Sequence, residues 1–400
     1  MDFPRTESQD ALIATARALA TAFAARAAAH DRAGDFPFEN YADLRAAGLP
    51  ALSVPTQFGG MGASLLDSVI VIEELARGDG STALSFTMHV QTIGSAAEAG
   101  AWPAPLFATL CRAAVNNGAL VNSIASEPAL GSPSRGGKPL TTATPERDST
   151  GRITRWRLNG HKNFASMIPV LDYMIIPAAL EDGSGEVARF LVPAGPGLEI
   201  VETWDALGMR TTGSHDLLLH NVCVDDAAML NRGTEGPSGK GPNSVNAWFM
   251  LTVSAVYLGV AQAALDAASA YALARVPTAL GKPIAEVESI QHRLGQASFA
   301  VQQARLTLHH VADLWSRYPD QRAQTLGALV GVAKVTVTNN AIAAVDNAMR
   351  VVGGAAMGRT LPLERYYRDV RAGLNHPISD DLLFVQLGKA AVKEVQGNAP

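Results

Sequence analysis

The chain has little of what several function classes require. Two cysteines in 400 residues, Cys111 and Cys223, exclude a disulfide framework and a cysteine-built metal centre, and suit a reducing cytoplasmic setting. Charge of one sign is scarce, with 32 Lys+Arg against 37 Asp+Glu for a formal −5. Nucleic acid and anionic membrane surfaces demand a basic face, so neither is expected as the main partner. The opening Met1-Asp2-Phe3-Pro4-Arg5-Thr6-Glu7 lacks the basic flank and apolar stretch of a signal peptide. The longest apolar-looking segment, around Met250 to Val260, is interrupted by Thr252 and Ser254 and reads as too short for a membrane span. No G-x-G-x-x-G follows an expected strand, and no G-x-x-x-x-G-K-[ST] or H-E-x-x-H occurs. Among nine histidines only His309-His310 are close together, and adjacent helical residues diverge by about 100°. No metal site is expected.

What is present changes texture twice. Alanine-rich periodic segments at Asp10 to Ala29, Leu65 to Ala76 and Thr82 to Glu98 predict helices. From Leu120 to about Val224 short β-type runs replace them, such as Thr154 to Leu158, Tyr173 to Pro177 and Ala188 to Val192. Asn159-Gly160 and Asp182-Gly183 read as hairpin turns, and Asp216 to Val224 as a strand pair with a tight connection. Asn231 to Pro242 is rich in Gly and Pro and reads as a linker. Helices then return at Val245 to Arg275, Ile284 to Arg317, Gln321 to Val352 and Asp380 to Lys393. The expected organisation is α+β. A helical domain covers 1–119, a β domain 120–230 and a helical bundle 231–400.

Several segments in order resemble the acyl-CoA dehydrogenase superfamily. Ser126-Glu127-Pro128-Ala129-Leu130-Gly131-Ser132 resembles its T-E-P-x-A-G-S-D loop. Asn159-Gly160-His161-Lys162-Asn163-Phe164-Ala165-Ser166 resembles its N-G-x-K-x-[WF]-I-[TS] strand, and Leu207-Gly208-Met209-Arg210 its L-G-x-R turn. Pro55 with Phe58-Gly59-Gly60, Gly353-Gly354 and Arg368-Asp369 match further signatures. The resemblance implies a helical domain, a central β domain and a C-terminal four-helix bundle, with a flavin between the last two and a dimer or tetramer. It places Ser126, Ser132, Phe164 and Ser166 on the flavin, with Ser166 near its reactive nitrogen. Arg275 resembles the arginine that pairs with flavin phosphates across a subunit interface, and Gly353-Gly354 would admit the nucleotide portion. The family's R-x-x-F-G spacing is loosened after Arg275, and Arg350 stands where the family has glutamine, so FMN and FAD both remain open.

Dehydrogenation of an acyl thioester needs a carboxylate to take the α proton. The family's glutamate follows its R-D signature, whereas here Arg371 to Ile378 carries no carboxylate before Asp380. Its alternative location reads Asn246 to Met250, also without one. His376 stands in the late loop instead. This resembles the branch containing dibenzothiophene monooxygenase and related two-component flavin monooxygenases, in which His89 resembles a second histidine. An imidazole, with an ordinary pKa of about 6.5, suits oxygen activation or substrate deprotonation near neutral pH. The resulting expectation is a flavin-dependent monooxygenase with His376 and His89 catalytic. It would take reduced flavin from a separate reductase and act on a small hydrophobic substrate against Phe86, Trp248 and Phe249. An acyl-CoA dehydrogenase with Asp380 as displaced base and an inactive flavin-fold scaffold are the alternatives.

Overall fold

A computed structural model describes residues 4–130, 137–233, 245–322 and 326–397. Helices come first: α1 (Glu7–Ala33), α2 (Phe38–Ala46), α3 (Leu65–Gly78), α4 (Gly80–Ala99) and α5 (Ala104–Asn117). Thr6 and Ser64 start α1 and α3 as capping boxes, and Asp79 caps α4 through its bond from the Thr82 N–H. The strands follow as β1 (Val121–Ser123), β2 (Thr142–Arg147), β3 (Ile153–Ala165), β4 (Tyr173–Leu180), β5 (Val187–Pro193), β6 (Leu198–Val201), β7 (His215–Asp225) and β8 (Met229–Gly233). They form one sheet ordered β6-β7-β3-β2-β4-β5-β8, with β1 added alongside β4. The last third is α6 (Ala247–Ala274), α7 (Glu288–Arg317), α8 (Gly327–Val352), α9 (Leu363–Val370) and α10 (Asp380–Gly397).

Two turn expectations are corrected. Asn159-Gly160 is no hairpin turn but lies within β3, and Asp216 to Val224 is one continuous strand rather than a pair. On β7 the buried positions run Leu217, Leu219, then Val222, Val224, a slip of one residue in the period-2 pattern. A β-bulge on β7 causes it, where His220 and Asn221, the latter at φ 52°, oppose Asn159 alone. The two asparagines clasp across the bulge, Asn159 Oδ1 accepting from the Asn221 N–H at 2.8 Å.

The membrane reading also changes in its premise. By length and composition three helices, Glu7–Ala33, Ala247–Ala274 and Gly327–Met357, are long and apolar enough to cross a bilayer. In α6 the apolar stretch is 89% buried within the protein, because this helix packs against α3, α4, α7, α8 and α9 at once. Thr252 and Ser254 do not interrupt it, since their hydroxyls donate to the carbonyls of Trp248 and Met250 one turn back. Gly259 lets α6 cross α3 closely, as a Cβ there would strike the Glu73 carbonyl. Against the same crossing the buried Glu73 carboxylate accepts from Arg305 at 2.6 and 2.8 Å and meets His309 at 3.0 Å. Burial pushes Glu73 up, but His309 and Arg305 outweigh it and hold its pKa near 2.

Candidate active site

The Ser126 loop is fastened to the sheet by a buried ion pair. Lys162, at 0% exposure on β3, donates to Glu127 Oε1 at 2.6 Å and to the Pro177 carbonyl on β4 at 2.8 Å. Glu127 also accepts from the Leu140 N–H at 2.7 Å and the Thr141 N–H at 3.1 Å. Ser126 is half-buried, and its carbonyl accepts from the Asn163 N–H at 3.1 Å, which brings the loop alongside the end of β3. Ser132 lies outside the described residues.

At the end of β3 a hydroxyl chain and an aromatic shelf meet. Ser166 Oγ lies 2.8 Å from Ser214 Oγ, which lies 2.7 Å from Thr212 Oγ1, itself donating to the Met209 carbonyl. Phe164 takes φ 52°, an uncommon choice for an aromatic residue, and leaves its ring 60% exposed with an edge contact to Trp204. The Asn163 side-chain oxygen is buried with no hydrogen-bond partner. A flat ring offering an N–H donor would find here an apolar shelf, free hydroxyl valence and an unsatisfied acceptor.

The turn after this strand docks on the C-terminal helices. The Met209 N–H donates to Asp369 Oδ1 at 2.6 Å, and burial raises the Asp369 pKa to about 7. Seven residues further, His376 Nδ1 lies 2.8 Å from the Tyr257 hydroxyl of α6. Phe249, half-buried one face away on α6, puts its edge to the imidazole at 6.0 Å between centroids. Gly373 makes the approach possible, because a Cβ there would press on Tyr257 and Thr338 at 3.0 and 3.1 Å. Burial pushes the phenol pKa well above its usual value, so Tyr257 keeps its proton, and no acceptor other than Nδ1 faces it among the described residues. A phenol that donates to Nδ1 leaves the imidazole proton on Nε2, the tautomer adopted below. Burial, reinforced by the Lys334 ammonium, lowers the His376 pKa to about 4 and keeps the ring neutral.

Other expected residues lie elsewhere. His89 is corrected: it has 0% exposure, its Nε2 lies 2.8 Å from the Pro50 carbonyl, and its Nδ1 accepts from the Val121 N–H at 3.1 Å. Both ring nitrogens are spent on backbone, tying α4 to β1. Phe86 and Trp248 are likewise core residues rather than pocket walls. Phe86 has 0% exposure and stacks on His89, while the Trp248 indole N–H donates to Glu98 at 3.0 Å. Arg275, Arg350, Gly353 and Gly354 are exposed at the far ends of α6 and α8. The rise of a helix puts Arg275 roughly 27 Å along α6 from Tyr257, so this chain does not bring them to His376.

His89 gives a stability prediction. Burial lowers its pKa to about 4, so it stays neutral when folded while the unfolded chain takes up a proton below about pH 6.5. His89→Leu leaves a carbonyl and an N–H unpaired and is expected to cost about 2–4 kcal/mol at pH 7. That deficit should shrink by about 2 kcal/mol between pH 7 and pH 5, as wild type loses on acidification a contribution from His89 that the variant lacks. Denaturant melts of both proteins at the two pH values check the sign.

Tyr257 and Lys334 went unmarked in the sequence because each sits inside a helical apolar pattern. The signal available was a polar residue at a core position of that pattern, which needs a partner. Among the described residues no group of three or more His, Cys, Asp or Glu is placed to hold a metal ion.

Comparison with known proteins agrees with this arrangement over most of the chain. Models of the acyl-CoA dehydrogenase N-terminal, middle and C-terminal domains match residues 6–101, 123–222 and 251–380. YdbM of Bacillus subtilis, provisionally named an acyl-CoA dehydrogenase, is 41% identical over 374 residues, covering 93% of this chain and 94% of that protein. L-evernosamine nitrososynthase of a Micromonospora species is 32% identical, covering 87% and 82%. Among solved structures, TdsC of Paenibacillus with FMN and indole superposes with a TM-score of 0.82 at 25% identity, covering 96% and 97%. Three domain models in order and a relative of this identity and coverage establish that the chain belongs to the acyl-CoA dehydrogenase family, whose cofactor is a flavin.

Proposed function

We propose that this chain is a flavin-dependent monooxygenase acting on a small, largely apolar substrate, with reduced flavin (FMN or FAD) delivered by a separate reductase. The observation that carries the reading is the Tyr257–His376 hydrogen bond. With Nδ1 accepting from the phenol, His376 presents an N–H at Nε2 and no lone pair. That arrangement suits donation to a developing oxyanion and does not suit removal of a carbon-bound proton. Asp380 is a poor substitute base, since Oδ2 accepts from Asn339 at 2.7 Å and Oδ1 is buried.

The residues at the end of β3 fit a flavin. Phe164 and Trp204 would support its ring, and Ser166, steadied by Ser214, would bond its edge. Ser126 and Asn163 would line its pyrimidine side. The bound flavin supplies the electrons that activate oxygen. Phe249 would border the substrate beside His376, and His376 would hold the Nε2 proton toward the oxygen atom. A homo-oligomer, dimer or tetramer, accounts for two further features. Arg275, Arg350, Gly353 and Gly354 would serve a flavin of a neighbouring subunit. The exposed apolar residues of α10, Phe384, Val385, Val392 and Val395, would be covered there.

The similarity to YdbM favours a second reading, an acyl-CoA dehydrogenase. Stopped-flow mixing decides between them. Flavin reduced on the protein and mixed with oxygen should give a transient absorbance distinct from both oxidised and reduced flavin. Rapid bleaching of bound flavin by an acyl-CoA, lost in Asp380→Asn, would instead establish the dehydrogenase.

A further inference from the structure

Lys334 lies on the α8 face that covers the His376 loop, at 1% exposure, and its Nζ has no hydrogen-bond partner. One helical turn along, Thr338 packs on Gly373 of that loop, and Asn339 holds Asp380 by its Oδ2. The other oxygen, Asp380 Oδ1, is also buried without a partner. A buried ammonium and a buried carboxylate oxygen are thus both left unpaired, at an energetic cost that folding ordinarily avoids. Orphaned charges of this kind concentrate where their field acts on a neighbouring group.

We propose that Lys334 is a positioning residue for His376: its buried, unpaired charge faces the late loop and, together with burial of the ring, disfavours the imidazolium, with Asp380 as the partial counterweight. The assignment of His376 as the reactive group rests on the monooxygenase reading, but the electrostatic coupling does not.

The groups facing His376 from each packed element are few. From α6 comes Tyr257, a neutral phenol, and from α8 comes Lys334. From α9 comes Asp369, which acts on Tyr257. In the turn before His376, Arg371 is paired with Asp346 at 2.8 Å. From the start of α10 come Asp380 and Asp381. Lys334 is the charged group that opposes protonation of the ring, and Asp380 draws on Lys334 in turn.

The test is a pH titration of flavin-free protein carrying 15N-histidine, with the His376 signal assigned by its loss in His376→Gln. Lys334→Met should raise the His376 midpoint by about one pH unit. Asp380→Asn should leave it at or below the wild-type value, and Lys334→Arg should leave it unchanged. The two charge removals therefore differ in sign, which a purely structural role would not produce. An unmoved midpoint in Lys334→Met, or a raised one in Asp380→Asn, overturns the proposal. If Lys334→Met does not fold, Lys334→Gln removes the same charge and should raise the midpoint likewise. The measurement contains neither flavin nor substrate, so a failed monooxygenase reading leaves its outcome readable.

Discussion

His376→Ala is expected to lower formation of oxygenated product by about 100- to 10,000-fold, the range for loss of a positioned proton donor. Flavin affinity should stay close to wild type, while the buried Tyr257 hydroxyl, left without its partner, should cost about 1–3 kcal/mol of stability. Tyr257→Phe separates two effects within that loss. The ring remains, but its Nδ1 loses the donor that sets the tautomer, so either nitrogen is free to carry the proton. The expected result is a smaller fall in rate with a changed pH profile. Product assays with chemically reduced flavin, alongside flavin titration, read both variants. If His376→Ala retains full turnover, the histidine is a bystander and the proposed chemistry falls.

The largest stability effect is expected at Glu127. Glu127→Ala strands Lys162, fully buried on β3, with only the Pro177 carbonyl, and removes the acceptor of two backbone N–H groups. Breaking a buried pair from one side costs about 3–5 kcal/mol. The double variant Glu127→Gln with Lys162→Met removes both charges and should recover most of that loss. Burial pushes Glu127 up, but Lys162 and the surrounding N–H donors hold it below its ordinary 4.5. Its contribution is therefore present above about pH 4.5 and lost as the solution is acidified below that. Chemical denaturation of the three proteins at pH 7 is the check. Equal stability of wild type and Glu127→Ala would mean that the loop carrying Ser126 is held by something else.

Local pattern determined a good deal here. Helix-forming patterns marked α1, α3, α4, α6, α7, α8 and α10, and β-rich runs marked β3, β4 and β5, because each depends on residues a few positions apart. Ordered motifs were enough to indicate the family, its three-part fold and a flavin. Where the sequence misled, a contact distant along the chain had overruled a local signal. Asn159-Gly160 carries hairpin chemistry but is straightened into a bulge by Asn221, 62 residues on. Glu127 and Lys162 stand in the motifs that suggest a flavin, yet their task is to clamp the loop. His89 and His376 are the same residue type with opposite fates. One has both nitrogens consumed by backbone, and the other meets Tyr257, 119 residues away, through Nδ1. Residue type determined that an imidazole stood at each place. Only the packing of α6, α8 and the late loop decided which nitrogen meets a partner, since a tautomer is set by the partner across the fold.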